Sequence, residues 1–335
     1  MSIECDAIDH RTAQEMERIL ILALPFFGPI IVGYIAGKTL KRPADGMAWL
    51  NFFVIYVALP PIFYQLISKT PPQQLTNAMF AFSTLFSSYT AFALAFGISF
   101  VLLKGNIREA VVSGGIGGYG NVGYMGPGLA LALFGNEAAA PMAIIFCGDC
   151  VLFFAIIPFL LALHEDRANL LETLKTIARR VLLNPFIVAT FLGMAAAMTG
   201  LKLPLAIDRT LTFLTGAAAP SALFALGVTV ALRPLGRIPA EMPAALAIKL
   251  LLHPLIVYFI VSLTGPYDRV WVYTAIMMAA LPPALSVFVL ATQYNTYVDR
   301  SSTAVLLGTA VSIPTLLLWL FLLENKLIPV SVFGS

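Results

Sequence analysis

Apolar runs long enough to cross a bilayer recur along the whole chain, and this pattern constrains the fold more than any other feature. A helix needs about 20 mostly apolar residues to span the hydrocarbon core. Ten segments qualify: Ile19–Gly37, Met47–Ile67, Ala78–Leu103, Ala110–Phe134, Ala138–Leu163, Val181–Thr199, Thr210–Leu232, Ala240–Leu263, Val270–Ala291 and Thr303–Leu323. In hydrocarbon a spanning segment must pair its backbone polar groups internally, so the predicted fold class is an all-α integral membrane protein of ten transmembrane helices. Composition agrees. Charged residues make up 11% of the 335 and the mean hydropathy is +0.90, whereas a soluble domain carries about 25% charge.

The same composition excludes several function classes. The net charge of +3 is scattered among short loops, so nucleic acid is not an expected partner. No GxxxxGK[ST] loop is present to bind ATP. Cys147 and Cys150 lie three apart in an apolar run with no second ligand cluster, and Cys5 stands alone. They read as small packing residues, and no metal or cofactor is expected. The first residues carry Glu4, Asp6, Asp9, Glu15 and Glu17, which suits a short polar tail rather than a basic-started secretory signal.

The two halves resemble each other at an offset of about 160 residues. Pro25 and Phe26 fall on Pro185 and Phe186, Gly33 on Gly193, and Pro60 on Pro220. Residues 1–163 and 181–335 are thus expected to be repeats, joined by a polar linker at 164–180. Each half holds five spans. Five is odd, so the second half enters the membrane from the opposite side, and the repeats are inverted, as in many secondary transporters. With the N-terminus outside, inside loops carry twelve Lys and Arg residues and outside loops seven. This bias predicts both termini outside and the linker in the cytoplasm.

Two spans contain helix breakers. The fourth holds a run from Ser113 to Gly128 that includes Gly114, Gly115, Gly117, Gly118, Gly120, Asn121, Gly123, Gly126 and Pro127. Each Gly costs roughly 1 kcal/mol relative to Ala in a helix, and an interior Pro about 3 kcal/mol. The ninth holds Pro282 and Pro283 side by side, which removes two adjacent backbone donors. Paired interruptions in two halves point to a transport site, where helix N-termini offer N–H groups and a positive dipole end to a carboxylate. Asn121, Gly123, Pro127, Pro282 and Pro283 are therefore the candidate substrate-binding residues. The glycines also serve plain helix packing, and for Gly114, Gly115, Gly117 and Gly118 the two roles weigh equally.

Ionisable residues inside a membrane are functional candidates by default. Asp149 lies mid-span in the fifth segment, Lys249 mid-span in the eighth, and His253 one turn beyond Lys249 on the same face. An Asp149–Lys249 pair would either couple a proton to transport or hold the bundle together, with His253 either a titrating member of that coupling set or a hydrogen-bonding helper. An intramembrane aspartyl protease is excluded, because Phe146 replaces the first glycine of its Gly-x-Gly-Asp motif and Asp268 lies at a helix end.

The stretch from Asn121 through Gly123 to Pro127, the stretch from Lys249 to Pro254, and the run from Leu281 to Tyr294 are similar to those of the auxin efflux carrier family. The resemblance covers nearly the whole chain. It implies the fold shared with bile acid sodium symporters and sodium/proton antiporters. Spans 3–5 and 8–10 would form a transport domain with broken helices 4 and 9 crossing in it, and spans 1, 2, 6 and 7 a scaffold that also dimerises. The family's crossing asparagine maps onto Asn121, and its crossing prolines onto Pro127 and onto Pro282 or Pro283. One departure stands out: the family's proline follows the asparagine by seven residues, whereas Pro127 follows Asn121 by six and Gly128 holds the usual place. The short linker matches bacterial members, which implies an inner membrane location. The expected function is an elevator-type carrier of a small carboxylate, such as a dicarboxylate or an auxin-like acid, driven by protons or the membrane potential. A sodium-coupled symporter and a non-transporting membrane sensor are the alternatives.

Overall fold

The structure, a computed structural model, describes residues 21, 24–25, 27–40, 46–163, 170–232 and 236–332. The acidic tail with Cys5, the first residues of the span begun at Ile19, and residues 164–169 of the linker lie outside the described residues. Among those described, regular structure is entirely helical. The helices are α1 (Phe27–Leu40), α2 (Met47–Ser68), α3 (Ala78–Leu102), α4 (Ile107–Gly118), α5 (Gly126–Phe134) and α6 (Ala139–Val151, continued by Leu152–Ile156 and Ile157–Ala162). They continue with α7 (Leu170–Leu182), α8 (Pro185–Thr199), α9 (Leu205–Leu232), α10 (Glu241–Thr264), α11 (Arg269–Ala280), α12 (Leu285–Gln293) and α13 (Val298–Glu324).

Among the described residues six stretches, counting α5 and α6 together, are long and apolar enough to cross a membrane, and α1, α8 and α11 are shorter apolar helices. Two helices begin earlier than the hydropathy suggests: α9 at Leu205 rather than Thr210, and α13 at Val298 rather than Thr303. In α13 the added turn takes in Asp299, Arg300, Ser301 and Ser302, and in α9 it takes in Asp208 and Arg209. The linker is not a plain loop either. Helix α7 occupies its second part, with Leu171 and Leu174 exposed beside Glu172 and Lys175, which pair at 2.9 Å.

Helix α3 shows which solvent the fold expects. It buries Ser83, Thr84, Ser87, Ser88 and Ser99 and turns Met79, Phe82, Phe86 and Leu94 outward. That order is the reverse of a soluble protein, and it suits a hydrocarbon surround. The buried hydroxyls are mostly self-satisfied: Thr84 donates to the Phe80 carbonyl at 3.0 Å and Ser87 to the Ser83 carbonyl at 2.6 Å.

The small residues of α4 lie against this face. A Cβ on Gly118 would stand 2.9 Å from the Ser88 carbonyl oxygen, and one on Gly117 would overlap Ala95. For these two glycines, backbone approach between α3 and α4 is sufficient explanation. Between α2 and α6 the contact is aromatic, with Phe63 and Phe146 ring centroids 4.6 Å apart and Phe186 of α8 5.3 Å from Phe146. At one end, Arg300 at the start of α13 donates to Glu109 at 3.0 Å and to buried Glu241 at 3.3 Å, and the Tyr297 hydroxyl donates to Glu241 at 2.7 Å. Arg108 donates to the Tyr294 carbonyl at 3.0 Å, so this cluster ties α4, α10, α12 and α13.

Prolines shape three spans. Wide π turns at Phe53–Ala58, Leu152–Ile156 and Ile248–Leu252 each precede a proline: Pro60, Pro158 and Pro254. Proline lacks an N–H and crowds the carbonyl four residues back, and a widened turn relieves both problems. The carbonyl four back from Pro254 is that of Leu250, and the Trp319 indole N–H of α13 donates to it at 3.0 Å. Replacing this donor should leave a buried carbonyl unpaired. Trp319→Phe is therefore expected to destabilise the protein by about 1 kcal/mol, read as a lowered unfolding temperature in detergent. An unchanged temperature would show that the widened turn satisfies Leu250 without help.

Candidate functional site

Helix α4 stops at Gly118, and the chain runs extended at Tyr119 before α5 starts at Gly126. Pro127 sits in the first turn of α5, where its missing N–H costs nothing. In the other half α11 stops at Ala280, Leu281 and Ala284 are extended, and α12 starts at Leu285. The two interruptions meet. Asn121 N–H donates to the Pro282 carbonyl at 2.8 Å, and Ala284 N–H donates to the Tyr119 carbonyl at 3.3 Å. Gly120 and Pro283 thus form an antiparallel bridge. At the start of α12 the Val287 N–H turns back to the Ala284 carbonyl at 3.1 Å, and at any helix start the first N–H groups have no carbonyl four residues back within the helix.

The double proline has a second effect. In an unbroken helix the N–H groups of residues 282 and 283 would pair with the carbonyls of Met278 and Ala279. Both residues are prolines, so neither donor exists. Leu281 N–H reaches the Met278 carbonyl at 3.4 Å. The Ala279 carbonyl is met by the Lys249 ammonium at 2.6 Å. Lys249 is fully buried within the π turn of α10. Its Nζ would lie 3.0 Å from a Cβ on Gly120, so any larger residue there would press the ammonium back from the bridge by a few tenths of an ångström.

Asp149 and Lys249 are not in direct contact; two residues join them. Lys249 Nζ lies 3.1 Å from His253 Nδ1, His253 Nε2 lies 3.4 Å from Ser88 Oγ, and Ser88 donates to Asp149 Oδ1 at 2.8 Å. An ammonium only donates, so Nδ1 accepts and the imidazole carries its proton on Nε2. Every bond then points from the cation towards the carboxylate. A void of about 10 Å³, lined by Thr84, Ser88, Asp149 and His253, adjoins the chain and suffices for about one water. His253 was legible as Lys249's neighbour. Ser88 and Gly120 were not singled out, although the repeated hydroxyls of α3 gave a signal for Ser88.

Of the candidate binding residues, Asn121 is buried, and its Nδ2 has no hydrogen-bond partner among the described residues. Gly123 is half-buried, and Pro283 packs its ring where a side chain on Gly308 of α13 would stand. A cavity of about 610 Å³ lies alongside, between α2, α5 and α9, lined by Gln65, Lys69, Gly128, Thr212 and Thr215. Gln65 donates to Asp208 at 2.7 Å and to Thr212 at 3.0 Å, which ties α2 to α9. Among the described residues no three His, Cys, Asp or Glu side chains cluster as a metal site would require.

A family model described as "Membrane transport protein" matches residues 19–320. The chain belongs to this membrane transport protein family. It is 43% identical over 319 residues to a Rhizobium meliloti protein named "Putative malonate transporter", covering 95% of this chain and 100% of the relative. It is 22% identical over 365 residues to "Auxin efflux carrier component 8" of Arabidopsis thaliana, covering 92% of this chain and 98% of that one. It is 24% identical over 309 residues to "Uncharacterized transporter YfdV" of Escherichia coli, covering 89% and 95%. The resemblance to auxin efflux carriers read from the motifs therefore holds. As a member of the membrane transport protein family with six long apolar helices among the described residues, the chain is a multi-pass membrane transporter.

Ser88 separates a structural hydroxyl from a linking one. Ser88→Ala removes the donor to Asp149 and should cost about 1–3 kcal/mol. Ser87→Ala removes only a bond to its own helix and should cost well under half of that. Unfolding temperatures of the two variants in detergent check this. Equal effects would show that the Ser88 link carries no weight.

Proposed function

We propose that this chain is a secondary carrier of a small organic anion, a carboxylate of malonate's class, and that the paired interruptions hold the substrate. The observation that carries this reading is the Asn121 side-chain amide, buried beside the bridge with its donor unpartnered among the described residues. A buried donor without an acceptor costs about 1–3 kcal/mol, a cost that a bound carboxylate oxygen would remove. The starts of α5 and α12 add N–H groups and, by the dipole, roughly half a positive charge each. Gly123 would leave the loop open to substrate, Pro127 and Pro283 would hold the helix starts, and Pro282 would keep α11 from closing.

In this reading α4 with α5, and α11 with α12, are the fourth and ninth of ten spans. Residues 1–163 and 181–335 form two inverted repeats about the 164–180 linker. Helices α3–α6 and α10–α13 move as a transport domain against a scaffold of α1, α2, α8 and α9. The cavity of about 610 Å³ between α2, α5 and α9 lies where such bodies would part and supports this division. The chain from Lys249 through His253 and Ser88 to Asp149 provides a path for proton coupling. The scaffold dimerises in the inner membrane, with both termini outside.

Asn121→Ala should weaken substrate affinity about tenfold or more, because a hydrogen bond to a charged group is worth about 1.5–3 kcal/mol. Its unfolding temperature should match the wild type. Uptake of labelled malonate, other dicarboxylates and aromatic acids into proteoliposomes, with and without a pH gradient, gives substrate and coupling together. Unchanged affinity in a well-folded Asn121→Ala sample would move the site elsewhere. For topology, cysteines placed in the 164–180 linker should react only from the cytoplasm, and a cysteine at Ser335 only from outside. The reverse labelling would overturn the orientation.

A further inference from the structure

We propose that Lys249 is a tethered cation standing in a monovalent-cation site at the broken end of α11, and that removing its side chain opens that site to a free sodium-sized ion. Four observations converge on the position. The end of α11 carries the negative end of a helix dipole, roughly half a unit charge, concentrated on its last carbonyls. The Ala279 carbonyl is cut off from its ordinary backbone donor because residue 283 is proline. The bridge between Gly120 and Pro283 closes over this end, with the Met278 carbonyl oxygen 3.5 Å from the Cβ position of Gly120. The Lys249 ammonium, wholly buried, fills that spot at 2.6 Å from the Ala279 oxygen.

In carriers built on interrupted helices, such C-terminal ends and unwound carbonyls coordinate the coupling cation. The end of α11 has that character, and here the positive charge arrives on a side chain from α10. The other groups around it fit one resident cation. His253 of α10 accepts from it at 3.1 Å, and Asp149 of α6 supplies the balancing negative charge through Ser88 of α3. A carboxylate in the bilayer interior requires a nearby positive charge or its loss by protonation. The pair of Asp149 and Lys249 already balances, which leaves no need for an imported ion.

The consequence concerns coupling, and it deepens the reading of the interruptions as the substrate site. A free cation bound at this end would be carried across with the substrate and released. A tethered one returns with the empty protein. The carrier would then draw nothing from a sodium gradient, and because Asp149 travels with Lys249 in the same domain, the pair would add no net charge to the movement of the unloaded state.

The test compares wild type, Lys249→Ala and Lys249→Ser in detergent. Unfolding temperature is measured in chloride salts of sodium, lithium, potassium and ammonium, against N-methylglucamine chloride at equal ionic strength. The wild type should be indifferent to the choice of cation. The two variants should unfold at lower temperature in N-methylglucamine and recover several degrees, saturably, with one or more of the small cations. A wild type stabilised specifically by sodium would overturn the proposal. So would variants that ignore every cation, or that fail to fold in all of the salts, because then the ammonium has no replaceable equivalent. No substrate enters these measurements. Failure of malonate uptake would therefore bear on the substrate reading, and failure of cation rescue on this one.

Discussion

Hydrocarbon offers no hydrogen bonds, so every backbone group that a proline or a helix end releases in this chain must be met from within the protein. Much of the interior follows from that rule. The three π turns redistribute the bonds lost near Pro60, Pro158 and Pro254. Trp319 meets the carbonyl left over at Leu250, and Lys249 meets the one left over at Ala279. The two interrupted helices satisfy part of their exposed backbone with each other, through the bonds between Asn121 and Pro282 and between Ala284 and Tyr119. Among the described residues a few buried side-chain atoms have no partner, the Tyr258 and Thr274 hydroxyls and the Asn121 side-chain amide among them, and of these three it is Asn121 whose backbone joins the bridge between the two interruptions.

Charge obeys the same logic at a higher cost. A buried ion is destabilised by several kcal/mol unless its partners are well placed. Asp149 and Lys249 answer this across a distance, through two intermediates that convert a Coulombic pair into a directional hydrogen-bonded path. The path runs over α10, α3 and α6, so these three helices are registered to one another by it. Ser88 can take part because α3 keeps its hydroxyl face inward and leaves its large apolar side chains outside.

The apolar runs and the breakers were readable in the residues because they follow local rules. Twenty apolar residues need no partner to be recognised, and Pro282 beside Pro283 ends a helix wherever it stands. The stops at Gly118 and Ala280 fall within the spans marked by those breakers. Less legible was what each released group would find. Nothing local assigns Lys249 to the carbonyl of Ala279, thirty residues on, or Ser88 to Asp149, because these are choices of packing between helices. The glycines of α4 are a mixed case. Their density announced a break, while Gly117 and Gly118 are accounted for by the approach of α3. Helix α7 was missed for a different reason: its alternation of leucines with charges lowers the mean hydropathy while preserving a helical stripe.

The polar ties within the bundle differ in kind from its aromatic contacts. Arg300, Glu241, Glu109 and Arg108 stitch α4, α10, α12 and α13, and Gln65 with Asp208 stitches α2 to α9; the two sets share no helix. Between α2 and α6 lie Phe63 and Phe146, carbon against carbon. A directional bond is lost within an ångström of displacement, whereas a seam of rings trades one neighbour for another at nearly constant cost. Such a seam behaves as a greased joint between stiff parts. It resists separation and offers little friction to sliding, so shear would be its cheapest deformation.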